Sequence, residues 1–209
     1  MVRANLNAGE VFAVQGTGTT RGLFDLSGSI ISSDKPVGLI SYHNRCMIPA
    51  TVVNNGRDHI IEMLPPVHAW GKQYATVEYD RGTDKGDYFR VVAGEDNVTF
   101  NIHWYEKAGG GDNTLISSIG PVKLVNKGDW YEYEGSGATS PHTLEPIRGV
   151  SKFQADGPIL VAQYSYSANW DAANDYDPFM ILVTAVEQYT KETVFQTPAN
   201  YGQNEFRDN

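Results

Sequence analysis

The sequence predicts an all-β protein made of two related β-sandwich-like units in tandem. Three observations carry that expectation: side chains alternate as in strands, turn-forming clusters recur every ten residues or so, and the chain repeats itself at a spacing of about 120 residues. In "NVTFNIHWYE" (97–106), Val98, Phe100, Ile102 and Trp104 fall on one side while Thr99, Asn101, His103 and Tyr105 fall on the other. That period of two belongs to a half-buried strand, because successive side chains of an extended chain point to opposite faces.

Taken in order, "NAGEVFAV" (7–14) reads as a turn followed by alternating large side chains. "PVGLISY" (36–42) and "PILVAQYSY" (158–166) are apolar at nearly every position, which predicts strands covered on both faces or lying in a sandwich core, each opened by a proline at its first residue. Turns are expected at Asn54-Asn55-Gly56, at Asp84-Lys85-Gly86-Asp87 and at Gly109 to Gly111 before Asp112. The glycine run lacks the Lys-Ser/Thr of a phosphate loop and reads as a hairpin loop. Helical periodicity is absent beyond a single turn expected near Pro65 to Trp70.

"NKGDWYEY" (126–133) writes the opening pattern a second time. Asn7 aligns with Asn126 at a spacing of 119 residues. "SDKPVGLISY" aligns with "ADGPILVAQY", Pro36 with Pro158 and Tyr42 with Tyr164, at 122. "DHIIEMLPPVHAWGKQYATV" aligns with "DPFMILVTAVEQYTKETVFQ", Asp58 with Asp177 and Val67 with Val186, at 119 again. The expected units are 1–119 and 120–209. The strands that continue the first unit through "GDYFRVVAGEDNVTFNIHWYE" would begin again near residue 206, so the second unit is expected to be incomplete and packed on the first. An open strand edge would then invite self-association or strands from elsewhere in a longer parent protein.

The bulk properties bound the function. A net charge of -9 works against phosphate-bearing partners, since these are held by clustered Lys and Arg that displace counterions, so neither nucleic acid nor an anionic membrane surface is expected. No apolar run approaches the roughly 20 residues of a membrane helix, and the first residues do not read as a secretory signal. Cys46 is the only cysteine, which excludes a disulfide within the chain; it reads as a buried, inert thiol. Asn97-Val98-Thr99 is a sequon, making Asn97 a glycosylation candidate.

No G-x-S-x-G is present, so nucleophilic hydrolysis has no anchor and no enzyme is expected. His59, His68 and Glu62 beside Asp58 hint at a metal, but on a strand positions 59 and 62 face opposite ways. Asp171, Asp175 and Asp177 supply the hard oxygen ligands that calcium prefers. They lack the EF-hand spacing, and a solvated turn-forming loop is the plainer reading; no other cofactor is implied. Lys-Gly-Asp, which resembles integrin-recognition sequences, occurs at 85–87 and 127–129, where its Gly and Asp also serve as turn formers. The candidate ligand-binding residues are aromatic: Trp130 on a strand with Tyr131 and Tyr133, and Tyr166, Trp170 and Tyr176 near Tyr164. Exposed Tyr and Trp rings make rigid, amphipathic contacts with proteins or sugars, whereas core packing is the competing use of the same rings.

"LNAGEVFAV", "DLSGSIISSDKPVGLISYHN", "DHIIEMLPPVHAWGK", "DYFRVVAGEDNVTF" and "DPFMILVTAVEQYTKETVFQTP" together resemble the IgGFc-binding protein N-terminal domain family, found in mucus glycoproteins and in surface or secreted proteins. The resemblance implies an extracellular, secreted or cell-surface module for adhesion or recognition, without catalysis. Its partner would be a protein or glycoprotein such as IgG Fc or a mucus component. The family domain is longer, which implies a fragment or a short member. Relatives often carry a second cysteine where Arg57 stands, so the resemblance leaves Cys46 without that partner. The alternatives are a carbohydrate-binding module and a structural spacer of a large surface protein.

Overall fold

Val98, Phe100, Ile102 and Trp104 are all buried in the computed structural model, while Thr99, Asn101, His103 and Tyr105 on the other face are half-buried. The structure describes residues 2–18, 24–49, 56–79, 86–107, 113–133, 147–168 and 177–194. Its strands are β1 (Leu39–Cys46), β2 (Asp58–Leu64), β3 (Gly71–Val77), β4 (Tyr88–Ala93), β5 (Val98–Lys107), β6 (Asn113–Leu124), β7 (Trp130–Tyr133), β8 (Val150–Tyr164) and β9 (Met180–Leu182). The expected single turn appears as a 3-10 turn at Val67–Ala69, and a second 3-10 turn lies at Val186–Gln188. Every strand pair is antiparallel. β5 pairs with β6, with Lys107 opposite Asn113, and the glycine run expected as their hairpin loop lies outside the described residues.

β8 organises the fold. Its first part, residues 150–155, lies between β3 and β5, and its last part, residues 159–164, lies against β4 on one edge and β9 on the other. One sheet therefore runs β6-β5-β8-β3, the other β7-β4-β8-β9, and the shared strand turns between them at Asp156-Gly157-Pro158. The sheets close on each other through aromatic contacts: Phe89 with Phe153 at 5.2 Å between ring centroids, Phe100 with Tyr131 at 5.7 Å and Trp104 with Tyr133 at 6.1 Å. Burial of these large rings removes a large apolar area from water.

Two strand readings need correction. Pro158 does not open its strand but sits inside β8, at the bend where pairing passes from β5 to β4. Its missing N–H costs no ladder bond there, and its carbonyl still accepts from the Gly94 N–H at 2.8 Å. β1, read as covered on both faces, is largely exposed on both. It forms with β2 a separate two-stranded ribbon, anchored at one end where Ile48, Ile60 and Cys46 pack on Tyr88, Tyr164, Tyr166 and Met180. The continuous apolar run of β8 is buried because β4, β9 and the core surround it; no described strand does the same for β1.

Local geometry recurs at the spacings of the sequence repeat. Asn7 and Glu10 close a turn in which the Glu10 carboxylate accepts from the Asn7 N–H at 2.8 Å, and Asp129 does the same for Asn126 at 2.8 Å, with Gly9 and Gly128 at φ of +86° and +88°. Tyr42 pairs with Ile61 in β1–β2 as Tyr164 pairs with Met180 in β8–β9. The two 3-10 turns stand 119 residues apart and touch, the Gln188 amide donating to the Ala69 carbonyl. The halves nevertheless share one sandwich: position 119/120 lies inside β6, and β8 is inserted among β3, β4 and β5.

Candidate functional site

Among the described residues, the turn Asn126–Asp129 and the strand it launches build the one surface where a sequence-predicted ligand residue is displayed. Asp129 points its carboxylate back into the turn, accepting from the Val125 and Asn126 N–H groups at 3.0 and 2.8 Å, while the Asp129 N–H donates to the Asn126 carbonyl at 2.9 Å. Such side-chain capping fixes the direction of β7. Trp130, its first residue, keeps 39% of its surface exposed. Tyr131 and Tyr133 turn the other face of the strand into the core.

Beneath Trp130 lies Arg90 of β4, with its guanidinium carbon 4.7 Å from the ring centroid. A cation over a tryptophan face is held by the ring quadrupole. Arg90 bonds the Glu132 carboxylate through Nε at 2.9 Å and through Nη2, meets Asp25 Oδ2 at 2.8 Å, and donates through Nη1 to the Ser27 hydroxyl. Burial works against the Arg90 charge, but the Glu132 and Asp25 carboxylates beside it outweigh burial and keep the guanidinium charged. Asp25 answers in kind: burial pushes its carboxyl up, yet the Arg90 charge and the Ser27 N–H bring it below its ordinary 3.8. This cluster ties the segment around residues 25–28 to the sandwich. Gly28 and Gly128 meet there so closely that a Cβ on Gly128 would lie 2.5 Å from the Gly28 carbonyl oxygen.

An open groove runs between these parts, lined by Gly28, Lys123, Lys127, Gly128 and Trp130. An aromatic anchor flanked by two lysines and a neutralised arginine suits contact with a protein surface carrying carboxylates or apolar side chains.

The other candidates are placed elsewhere. Tyr166 is fully buried, its ring 6.1 Å from Tyr88 in the smaller core, so it stabilises the anchor of the β1–β2 ribbon and presents no face to a ligand. The reason is its position just past β8, where Ile48 and Ile60 cover it. Trp170, Asp171, Asp175 and Tyr176 lie outside the described residues; Asp177 is exposed. Asn97 is exposed on the turn between β4 and β5, at a φ of +60°. Asp87 of the first Lys-Gly-Asp is buried, accepting from Gln163 Nε2 at 2.6 Å, and Asp129 of the second is engaged in its own turn, so neither carboxylate is displayed as in a recognition loop. His59 pairs with Asp58 at 2.9 Å. Among the described residues no three His, Cys, Asp or Glu side chains converge on a point.

Arg90, Asp25 and Glu132 were missed in the sequence. The available signal was the arginine inside the apolar run of "DYFRVVAG", since a charge in a buried strand demands a partner. Its partners stand 42 and 65 residues away and are not readable from spacing.

The family model described as IgGFc binding protein matches residues 1–207, essentially the whole chain. No curated protein and no solved structure matches. No helix among the described residues is long and apolar enough to cross a membrane.

Proposed function

Because the chain belongs to the IgGFc-binding protein family, we propose that it is a non-catalytic module that works outside the cell by binding a protein or glycoprotein, with Trp130 as an anchor of the contact surface. The family match over residues 1–207 carries this reading. Trp130 supports it as a large ring held in place from below by Arg90 yet open above, a preorganised contact that loses little side-chain freedom on binding. The repeated turns and the matching strand registers support a duplicated β unit, 1–119 and 120–209, which would offer two related surfaces and aid weak multivalent attachment.

The test is binding of the immobilised protein to IgG Fc and to purified mucin, side by side with a glycan array. We expect saturable binding to a protein or glycoprotein and a loss of at least tenfold in Trp130→Ala, the size expected of an interface anchor. Binding to free glycans alone would favour the carbohydrate-binding alternative, to which Trp170 and Tyr176 are then assigned. Silence on both, and in capture from mucus, would favour a structural spacer. Asp171, Asp175 and Asp177 stand as proposed calcium ligands: millimolar calcium should raise the melting temperature, and no shift removes them. Exposure of Asn97 on its turn supports a glycan there, which an amidase-sensitive mass increase after secretion from eukaryotic cells would reveal.

A further inference from the structure

We propose that the free edge of β1 is a strand acceptor, which takes an extended segment of a partner protein in antiparallel pairing, the segment placing an aromatic side chain opposite Tyr42 as β4 places Tyr88 opposite Tyr164. This surface is separate from the Trp130 groove.

The molecule contains its own template for the pairing. Ile40 faces Met63, Ser41 faces Glu62 and Tyr42 faces Ile61 in the β1–β2 ribbon; Ala162 faces Leu182, Gln163 faces Ile181 and Tyr164 faces Met180 in β8–β9. The two ribbons share one register. On its other edge β8 carries β4, with Tyr88 opposite Tyr164, Arg90 opposite Ala162 and Val92 opposite Leu160. Carried across to β1, the same register places an incoming strand opposite Tyr42, Ile40 and Gly38. Among the described residues β1 pairs with β2 alone.

The direction of the edge groups follows from β8. Its Val161 carbonyl accepts from Val183, and its Ser165 N–H donates to Phe179, so odd-numbered residues bond toward β9, while the Pro158 carbonyl receives Gly94 on the β4 side. Even-numbered residues of β8 therefore serve β4. By the shared register, Gly38, Ile40 and Tyr42 hold the outward N–H and C=O groups of β1, a row open to strand addition.

Side chains make the edge specific. Ile40, Tyr42, Ile61 and Met63 form one face of the ribbon and are 54%, 60%, 56% and 68% exposed, while Ala162 is buried and Tyr164, Met180 and Leu182 are half-buried at the equivalent places. Tyr88 of β4 covers Tyr164 edge-on, with centroids 5.6 Å apart. An aromatic residue in the partner would cover Tyr42 in the same way. Four paired apolar side chains left in water beside an unpaired backbone row are the usual mark of an interaction surface. β4 of this chain is itself held between β7 and β8, and that of a second copy is equally engaged, so neither supplies the strand.

The probe is a labelled peptide of residues 86–95, the β4 sequence, with a scrambled peptide as control. Anisotropy should show saturable binding of the first alone, and hydrogen exchange should show new protection at the Gly38, Ile40 and Tyr42 amides. Tyr42→Ser, at an exposed position, should weaken binding at least fivefold; Ile40→Pro, which removes an edge N–H without touching the β2 side, should abolish it. Trp130→Ala should leave peptide binding unchanged, which separates failure here from failure of the groove. Equal binding of the scrambled peptide, or no new protection at the Gly38, Ile40 and Tyr42 amides, would overturn the proposal. So would protection of those amides before any peptide is added: sedimentation would then assign the occupant to a second copy if dimeric, or to the chain's own polypeptide if monomeric.

Discussion

Arg90 shows how one residue joins stability to the displayed surface. Its guanidinium bonds Asp25 and Glu132, bonds Ser27 and supports the Trp130 ring, so a single charge fixes both the N-terminal segment and the proposed anchor. Asp25 is the acid-sensitive partner. Its carboxyl lies below its ordinary 3.8 in the folded protein, so the stability it contributes is complete above about pH 4 and is lost as pH falls through the lower folded value. Asp25→Asn should therefore lower stability at pH 7 while flattening its decline between about pH 4 and pH 2, read by urea titrations across that range. The cost at pH 7 should be about 1 kcal/mol, below that of a fully buried pair, because solvent reaches part of the carboxylate.

At the scale of elements, β8 decides the architecture, and the polar group it buries is the sensitive point. Gln163, almost fully buried, donates through Nε2 to Asp87 Oδ2 at 2.6 Å and to the Val77 carbonyl at 2.8 Å, tying the end of β3 to the start of β4. The Asp87 carboxylate also accepts from the Tyr79 N–H at 3.0 Å. Gln163→Leu keeps the volume but removes a donor from a buried carboxylate, and should cost about 2–3 kcal/mol with an unchanged urea m-value. A neutral result would mean that water replaces the lost donor. The turn before β7 is equally constrained: Gly128→Ala brings a Cβ into the left-handed region and against the Gly28 backbone, and should lower stability by at least about 1 kcal/mol.

At the scale of the molecule, a sandwich of two sheets joined by one shared strand carries a ribbon fastened at a single end. Cys46 sits at that fastening, and burial pushes its thiol up to about 11, against a smaller downward pull from the Met47 N–H. At pH 8 it should react with a disulfide reagent far more slowly than the same thiol in the urea-unfolded chain. Fast labelling of the folded protein would show that the ribbon lifts from the sandwich without global unfolding.

Strand alternation in 97–106, the turns at Asn7 and Asn126 and the single turn after Pro66 were legible because each depends on neighbours within a few residues. Side-chain period and turn chemistry are local physics. The all-β class follows from them. Long-range partners chose the rest. The runs at 36–42 and 158–166 are almost equally apolar, yet among the described residues β8 is enclosed by four strands while β1 pairs only with β2; Tyr166 is sealed under Ile48 and Ile60, whereas Trp130 stays open over Arg90. Composition and spacing tell which side chains prefer to leave water, but which of them do so depends on what distant segments arrive to cover them.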